Sequence, residues 1–290
     1  HLENRAQATI ATIPVAEQDA TACGIMKIDE AGRVASFEEK PKTPAALARV
    51  RTEPAWMERL GIRAEGRPYL ASMGIYLFNR ATLVELLGAG GATDFGRELF
   101  PQVIAGHRVQ AYLFDGYWED IGTVGAFHKA NIDLTQDNPP FRFSTVDYTV
   151  FTRPRYLPCS RLSGATITHS LISDGCTIRA GTVIENSVIG VRAVIGEGVT
   201  IRNSYIMGAD SFEMTHHGDE RARAGRPALG IGAGTTIENA IVDKNARIGG
   251  NVRIANDAHV VDGEETPYGV IRDGIVVVPK FTVIPDGTTL

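Results

Sequence analysis

The chain has 290 residues, 43% of them hydrophobic and 22% charged, which is material for about two ordinary domains. Its net charge of -5 at pH 7 argues against a general polyanion binder, and so against a nucleic-acid partner. Three cysteines without a CxxC pair suggest neither a zinc site nor a disulfide framework and make a reduced cytoplasm the natural setting; no apolar run approaches the roughly 20 residues of a membrane helix.

The opening His1-Leu2-Glu3-Asn4 contains no Met, and a strand-like run over residues 9–14 follows at once, as if the chain began inside a domain. Residues 24–28 and 34–38 read as a hairpin turning at residues 29–32, and Pro41, which has no N–H for the ladder, ends it. Thr43-Pro44 is a helix start, with Thr as N-cap and Pro at the first position, continued by residues 45–51. The dense apolar run 69–78 predicts a central strand. Helices are expected over 81–87, 96–104 and 124–134, and a strand over 109–114. Strands alternating with helices predict a layered α/β sheet, mostly parallel. The polar stretch Thr135-Gln136-Asp137-Asn138-Pro139-Pro140 marks a boundary, giving an α/β domain at 1–135, a linker at 136–159 and a second domain at 160–290.

That second domain counts in sixes. From Ile167 an aliphatic residue recurs at Ile172, Ile178, Ile184, Ile189, Ile195 and Ile201. After a polar insert between Met207 and Gly230 it returns at Ile231, Ile237, Val242, Ile248, Ile254 and Val260. Steps of six, with a few of five, fit neither an amphipathic helix nor a long strand. They fit a hexapeptide β-solenoid, in which each short strand ends at a turn and the aliphatic residues stack inside.

Five motifs precede the solenoid in order: Cys23-Gly24-Ile25-Met26, Phe37-Glu38-Glu39-Lys40-Pro41, Leu70-Ala71-Ser72-Met73-Gly74-Ile75-Tyr76, Asp94-Phe95-Gly96, and Tyr117-Trp118-Glu119-Asp120-Ile121-Gly122-Thr123. Together with the solenoid they closely resemble the glucose-1-phosphate adenylyltransferase (ADP-glucose pyrophosphorylase) family. Met207-Gly208-Ala209-Asp210 and Val242-Asp243-Lys244-Asn245-Ala246-Arg247 look like its plant and cyanobacterial branch. The resemblance implies a partial nucleotidyltransferase Rossmann-like mixed sheet followed by a left-handed parallel β-helix. It implies that ATP and glucose 1-phosphate are converted to ADP-glucose and pyrophosphate for glycogen or starch synthesis, with Mg2+, in a cytoplasmic (in a plant, plastid) homo- or heterotetramer under an anionic effector. The Gly-rich ATP-phosphate loop that opens the family's catalytic domain is not in this sequence, so the resemblance implies a chain truncated at its N-terminus and inactive alone.

Lys40 is the leading catalytic candidate, because an ammonium on a turn set by Pro41 suits a phosphate ester, the partner the resemblance gives it. Glu39 suits sugar hydroxyls as an acceptor. Gly24 allows close backbone approach and, by the resemblance, lies against the sugar, unless it is a plain turn or bulge glycine. Ser72, a hydroxyl in an apolar strand, needs a partner, either backbone or a sugar hydroxyl. Tyr76 shares its facing at period two and lines the same pocket or packs in the core. Asp120 suits Mg2+ beside a nucleotide, or caps the helix that follows. Trp118 is a sugar wall or a core residue. Asp94 lies by the sugar in the family, though a helix cap is the plainer reading; a kinase reading of Asp94-Phe95-Gly96 lacks every other kinase motif. Lys244 and Lys280 match family positions for effectors of the 3-phosphoglycerate or phosphate type, with two solvated lysines as the bland reading. Arg221, Arg223 and Arg226 read as a solvated face, and His216-His217 as a pair without metal-ligand spacing.

The chemistry needs no protein nucleophile, since a phosphate attacks the α-phosphorus and pyrophosphate leaves; positioning and charge stabilisation suffice. Three rivals stand beside this reading: another sugar-1-phosphate nucleotidyltransferase, a non-catalytic regulatory subunit, and a solenoid acyltransferase for which His169 is the one coil histidine.

Overall fold

The computed structural model describes residues 1–88, 90, 94–213 and 225–290. His216, His217, Arg221 and Arg223 lie outside the described residues. The described chain forms two compact units, His1–Trp118 and Glu119–Leu290.

The first unit is a five-stranded sheet. Its elements in chain order are β1 (Ala8–Val15), a short α1 (Glu17–Ala20), β2 (Gly24–Ile28), β3 (Val34–Glu39), α2 (Pro44–Val50), α3 (Pro54–Arg59), β4 (Tyr69–Phe78), α4 (Arg80–Gly88), a π-helical turn (Phe95–Leu99) running into α5 (Phe100–Gly106), and β5 (Val109–Leu113). The strand order is β3-β2-β4-β1-β5, so β4 is central as expected. The expected parallel character is wrong for these strands. β1/β4, β2/β3 and β2/β4 are antiparallel, and β1/β5 alone is parallel. A hairpin makes β2/β3 antiparallel, and β4, reached from β3 through α2 and α3, runs parallel to β3 and therefore antiparallel to β2, which lies between them. Helix α3 carries Pro54 at its start and was not foreseen.

Alternation along the strands separates two cores. Ile10, Met26, Leu70 and Phe100 fill one, while Ile13, Ile25 and Ala71 fill the other. Thr43 caps α2 as expected, its hydroxyl accepting the Ala46 N–H at 3.1 Å.

The second unit begins with α6 (Val124–Asp133), capped by Thr123. Although the boundary expected near residue 135 grouped α6 with the α/β half, it packs on the solenoid. His128 Nε2 donates to the Asn203 carbonyl at 2.7 Å, and the Phe127 and Tyr205 rings lie 5.7 Å apart.

The solenoid has three parallel faces, and one coil spans 17 residues, as the hydrogen bonds between Ser170, Ser187 and Ser204 show. Ile167, Ile184, Ile201, Ile237 and Ile254 stack on one face. Ile189, Ile206, Val242 and Val278 stack on a second, and Ile178, Ile195, Ile231, Ile248 and Ile284 on the third. Steps of six, six and five make up the coil. Val260 is not part of the ladder; it is 38% exposed, and the ladder resumes at Val278. Between Ile254 and Val278 the chain leaves the coil and returns through the antiparallel pair Val270–Arg272 and Ile275–Val278. At one corner Asn186, Asn203 and Asn239 take left-handed backbone, which Asn tolerates better than most residues; His169 sits at the same corner.

Candidate functional site

The antiparallel register of β2 and β3 sets Gly24 opposite Glu39. The Glu39 carboxylate then reaches across to the π-helical turn. A Cβ on Gly24 would stand 2.7 Å from Glu39 Oε2, and one on Gly96 would stand 2.8 Å from the same oxygen. Two glycines from distant parts of the chain thus make the slot that holds one carboxylate oxygen.

Lys40 follows with φ of 50°, left-handed backbone for a residue with a side chain. Such a conformation costs about 1–3 kcal/mol and persists where surrounding structure imposes it. Here the Lys40 N–H donates to the Cys23 carbonyl at 3.0 Å, and buried Pro41 leads to the Thr43 cap. The Lys40 side chain is exposed.

The central strand supplies the next pair. Ser72 Oγ and Tyr76 OH are 3.3 Å apart, and Ser72 Oγ also accepts the Gly74 N–H at 3.3 Å. In the pairing with β1, Ser72 and Tyr76 oppose Thr12 and Ile10. Two extra β4 residues bulge between them, so both side chains keep one facing. The Tyr76 ring stacks on Phe95 at 5.8 Å and tilts against Phe100 at 4.8 Å. Asp94 accepts the Glu98 and Leu99 N–H groups on its backbone carbonyl, starting the turn that presents Phe95 and Gly96. Its Oδ1 lies 3.4 Å from where a Gly96 Cβ would be.

Gly24, Glu39, Ser72, Tyr76 and Asp94 are therefore linked through Phe95 and Gly96. Phe95 and Gly96 belong to the Asp94-Phe95-Gly96 motif, yet nothing local in it marks them as the partners of Tyr76 and Glu39. Trp118 is not with this group: it packs with Cys23, Met73 and Phe114 against the other core.

Asp120 belongs to the second unit and is exposed, with Oδ1 accepting the Gly122 N–H at 3.1 Å. The cap of α6 is Thr123, so the helix-cap alternative for Asp120 is wrong. No group of three or more His, Cys, Asp or Glu suited to a metal occurs among the described residues. An exposed carboxylate with Oδ2 uncommitted fits Mg2+, which keeps its waters and takes one or two carboxylates plus substrate phosphates.

In the solenoid, Lys244 and Lys280 meet on one carboxylate. Lys280 Nζ lies 2.9 Å from Asp210 Oδ2, and Lys244 Nζ lies 3.2 Å from Oδ1. Asn245 Nδ2 donates to Oδ2 at 2.8 Å. Lys280, Asn245 and Lys244, in that order, hold the Asp210 carboxyl far below the usual carboxylate range. His169 is an outer corner residue, 3.7 Å from Asp137, and Arg226 is exposed.

Residues 1–137 match the family model for nucleotidyl transferase, and residues 155–289 match that for the GLGC left-handed parallel β-helix domain. The chain is a nucleotidyl transferase domain followed by a left-handed β-helix. This pairing of domains is consistent with the ADP-glucose pyrophosphorylase family.

Proposed function

We propose that the chain belongs to a glucose-1-phosphate adenylyltransferase, which joins ATP and glucose 1-phosphate to give ADP-glucose and pyrophosphate for glycogen or starch synthesis. The observation that carries this reading is the Glu39 carboxylate held between Gly24 and Gly96, next to Lys40 on strained backbone. A fixed acceptor beside a cation matches a phosphorylated sugar: Glu39 takes sugar hydroxyls and Lys40 takes the phosphate. Ser72 and Tyr76 add two hydroxyls on the same face, with Asp94 at its margin. Held there, a phosphate oxygen of the sugar ester is presented for in-line attack on the α-phosphorus, and pyrophosphate departs; the chain contributes alignment and charge. Asp120 is the carboxylate that would hold Mg2+, which when bound neutralises phosphate oxygens. Trp118 retains at most an indirect part in the site, through the core it packs.

Lys244 and Lys280 bind an anionic effector of the phosphate or 3-phosphoglycerate type. Their convergence on one carboxylate supports this. The protein assembles as a tetramer. The first coil, where Leu162 is 52% and Leu171 40% exposed, supports a contact there, and light scattering of the purified protein tests it.

Calorimetric titration of glucose 1-phosphate tests the site itself. Lys40→Gln should weaken binding by at least about tenfold, the loss of one charge-assisted contact. Unchanged affinity would remove Lys40 from the site and the enzyme reading with it.

A further inference from the structure

The insert between Met207 and Gly230 starts from a charged knot that the transfer reaction does not use. Asp210 donates its N–H to Asn245 Oδ1 at 2.9 Å and takes Asn245 Nδ2, Lys280 and Lys244 on its carboxylate. Three residues on, Glu213 pairs with Arg247 at 2.8 Å and accepts the Leu229 N–H at 3.0 Å. Arg247 also donates to the Pro227 carbonyl at 3.0 Å. Both feet of the insert are thereby tied, through Asn245 and Arg247, to the coil that carries Lys244, and Lys280 reaches Asp210 from the next coil.

We infer that Asp210 is a tethered counter-anion, which occupies Lys244 and Lys280 until a compact oxyanion, inorganic phosphate or a phosphate monoester, displaces it. The inference rests on reading the two lysines as an effector site. Each carboxylate oxygen engages a separate ammonium, the arrangement two oxygens of a phosphate would take. A phosphate brings more charge and a third oxygen to the same donors. The Asp210 side chain is 46% exposed, so a dissolved anion reaches it directly. Its depressed pKa keeps it charged, and therefore a competitor, throughout the neutral range. Anion binding and fastening of the insert's first foot then exclude one another. The coupling is reciprocal: whatever loosens Asp210 raises anion affinity.

Titration of inorganic phosphate into the full chain and its variants tests this. Asp210→Asn should bind phosphate more tightly than the unaltered chain, on the order of tenfold, because the competing state is gone. Asp210→Ala should change affinity in the same direction, which separates competition from any fault in the Asn side chain. Adding Lys244→Gln and Lys280→Gln to Asp210→Asn should abolish binding. Equal or weaker binding by both Asp210 variants overturns the competition, and binding that survives loss of both lysines places the anion elsewhere and overturns it too. If neither the unaltered chain nor Asp210→Asn binds phosphate, the effector reading of the lysine pair itself fails.

Discussion

In the α/β unit the groups that converge on Glu39 come from β2, β3 and the π-helical turn, separated by tens of residues. In the solenoid nearly every buried residue meets its counterpart one coil away. The first arrangement gathers dissimilar parts around one carboxylate; the second stacks similar ones. Glycine shows the difference. At Gly96 the space is kept for the end of a flexible Glu39 side chain. At Gly208, with φ of 79°, the missing Cβ leaves room for the Val191 carbonyl of the coil beneath.

The same substitution should therefore fail in opposite ways. Gly208→Ala forces a side chain onto left-handed backbone and into a main-chain oxygen that cannot move alone. It should cost roughly 2–4 kcal/mol, read from urea unfolding of the second unit. Gly96→Ala should cost under about 1 kcal/mol, because Glu39 swings aside, while glucose 1-phosphate affinity drops about tenfold. Comparable stability losses at the two positions would erase the contrast.

A smaller effect tests how the Lys40 turn is braced. Thr43→Ala removes the cap of α2 and should lower stability by about 1 kcal/mol, with a weaker loss of sugar-phosphate affinity than Lys40→Gln. A loss of affinity as large as that of Lys40→Gln would make the cap part of the site.

The smallest effect is a pH dependence at α6. Burial lowers the His128 pKa below 6.5, with the hydrogen bond to Asn203 opposing it. The folded state keeps the ring neutral while the unfolded chain takes up a proton. The stability His128 contributes is thus full above pH 6.5 and declines as pH falls toward the lowered folded value. Urea midpoints between pH 7.5 and about 5 should show that slope. His128→Gln should flatten it, and an unchanged slope would assign it to other groups.

The repeat was readable because six- and five-residue steps are a local signal, visible without knowing what lies opposite. Counting still ran past Ile206, which is 4% exposed and in the ladder, and into Val260, which is not. Periodicity carries no mark of where an excursion leaves the coil and rejoins it. Strand direction was hidden for a related reason: apolar runs predict a strand but not which way its neighbour runs, and the sheet came out mixed. Lys40, Glu39, Ser72 and Tyr76 were chosen through motif order. Gly96 as the far wall of the Glu39 slot was beyond reach, because nothing near residue 96 records what residue 39 does. Asp210 sits where the repeat stops, so no pattern pointed from it to Lys244 and Lys280.

A coil of 17 residues has a further consequence for how such a stack changes length. Each coil advances the stack by one strand spacing, about 4.8 Å. Loss or duplication of a whole coil, such as residues 184–200, keeps every aliphatic side chain pointing inward and alters only the reach of whatever the far end carries. A deletion of any other size turns the ladder out of phase unless it falls in an excursion, as residues 255–274 do. The solenoid is graduated like a ruler, and heritable changes to its length come in whole divisions.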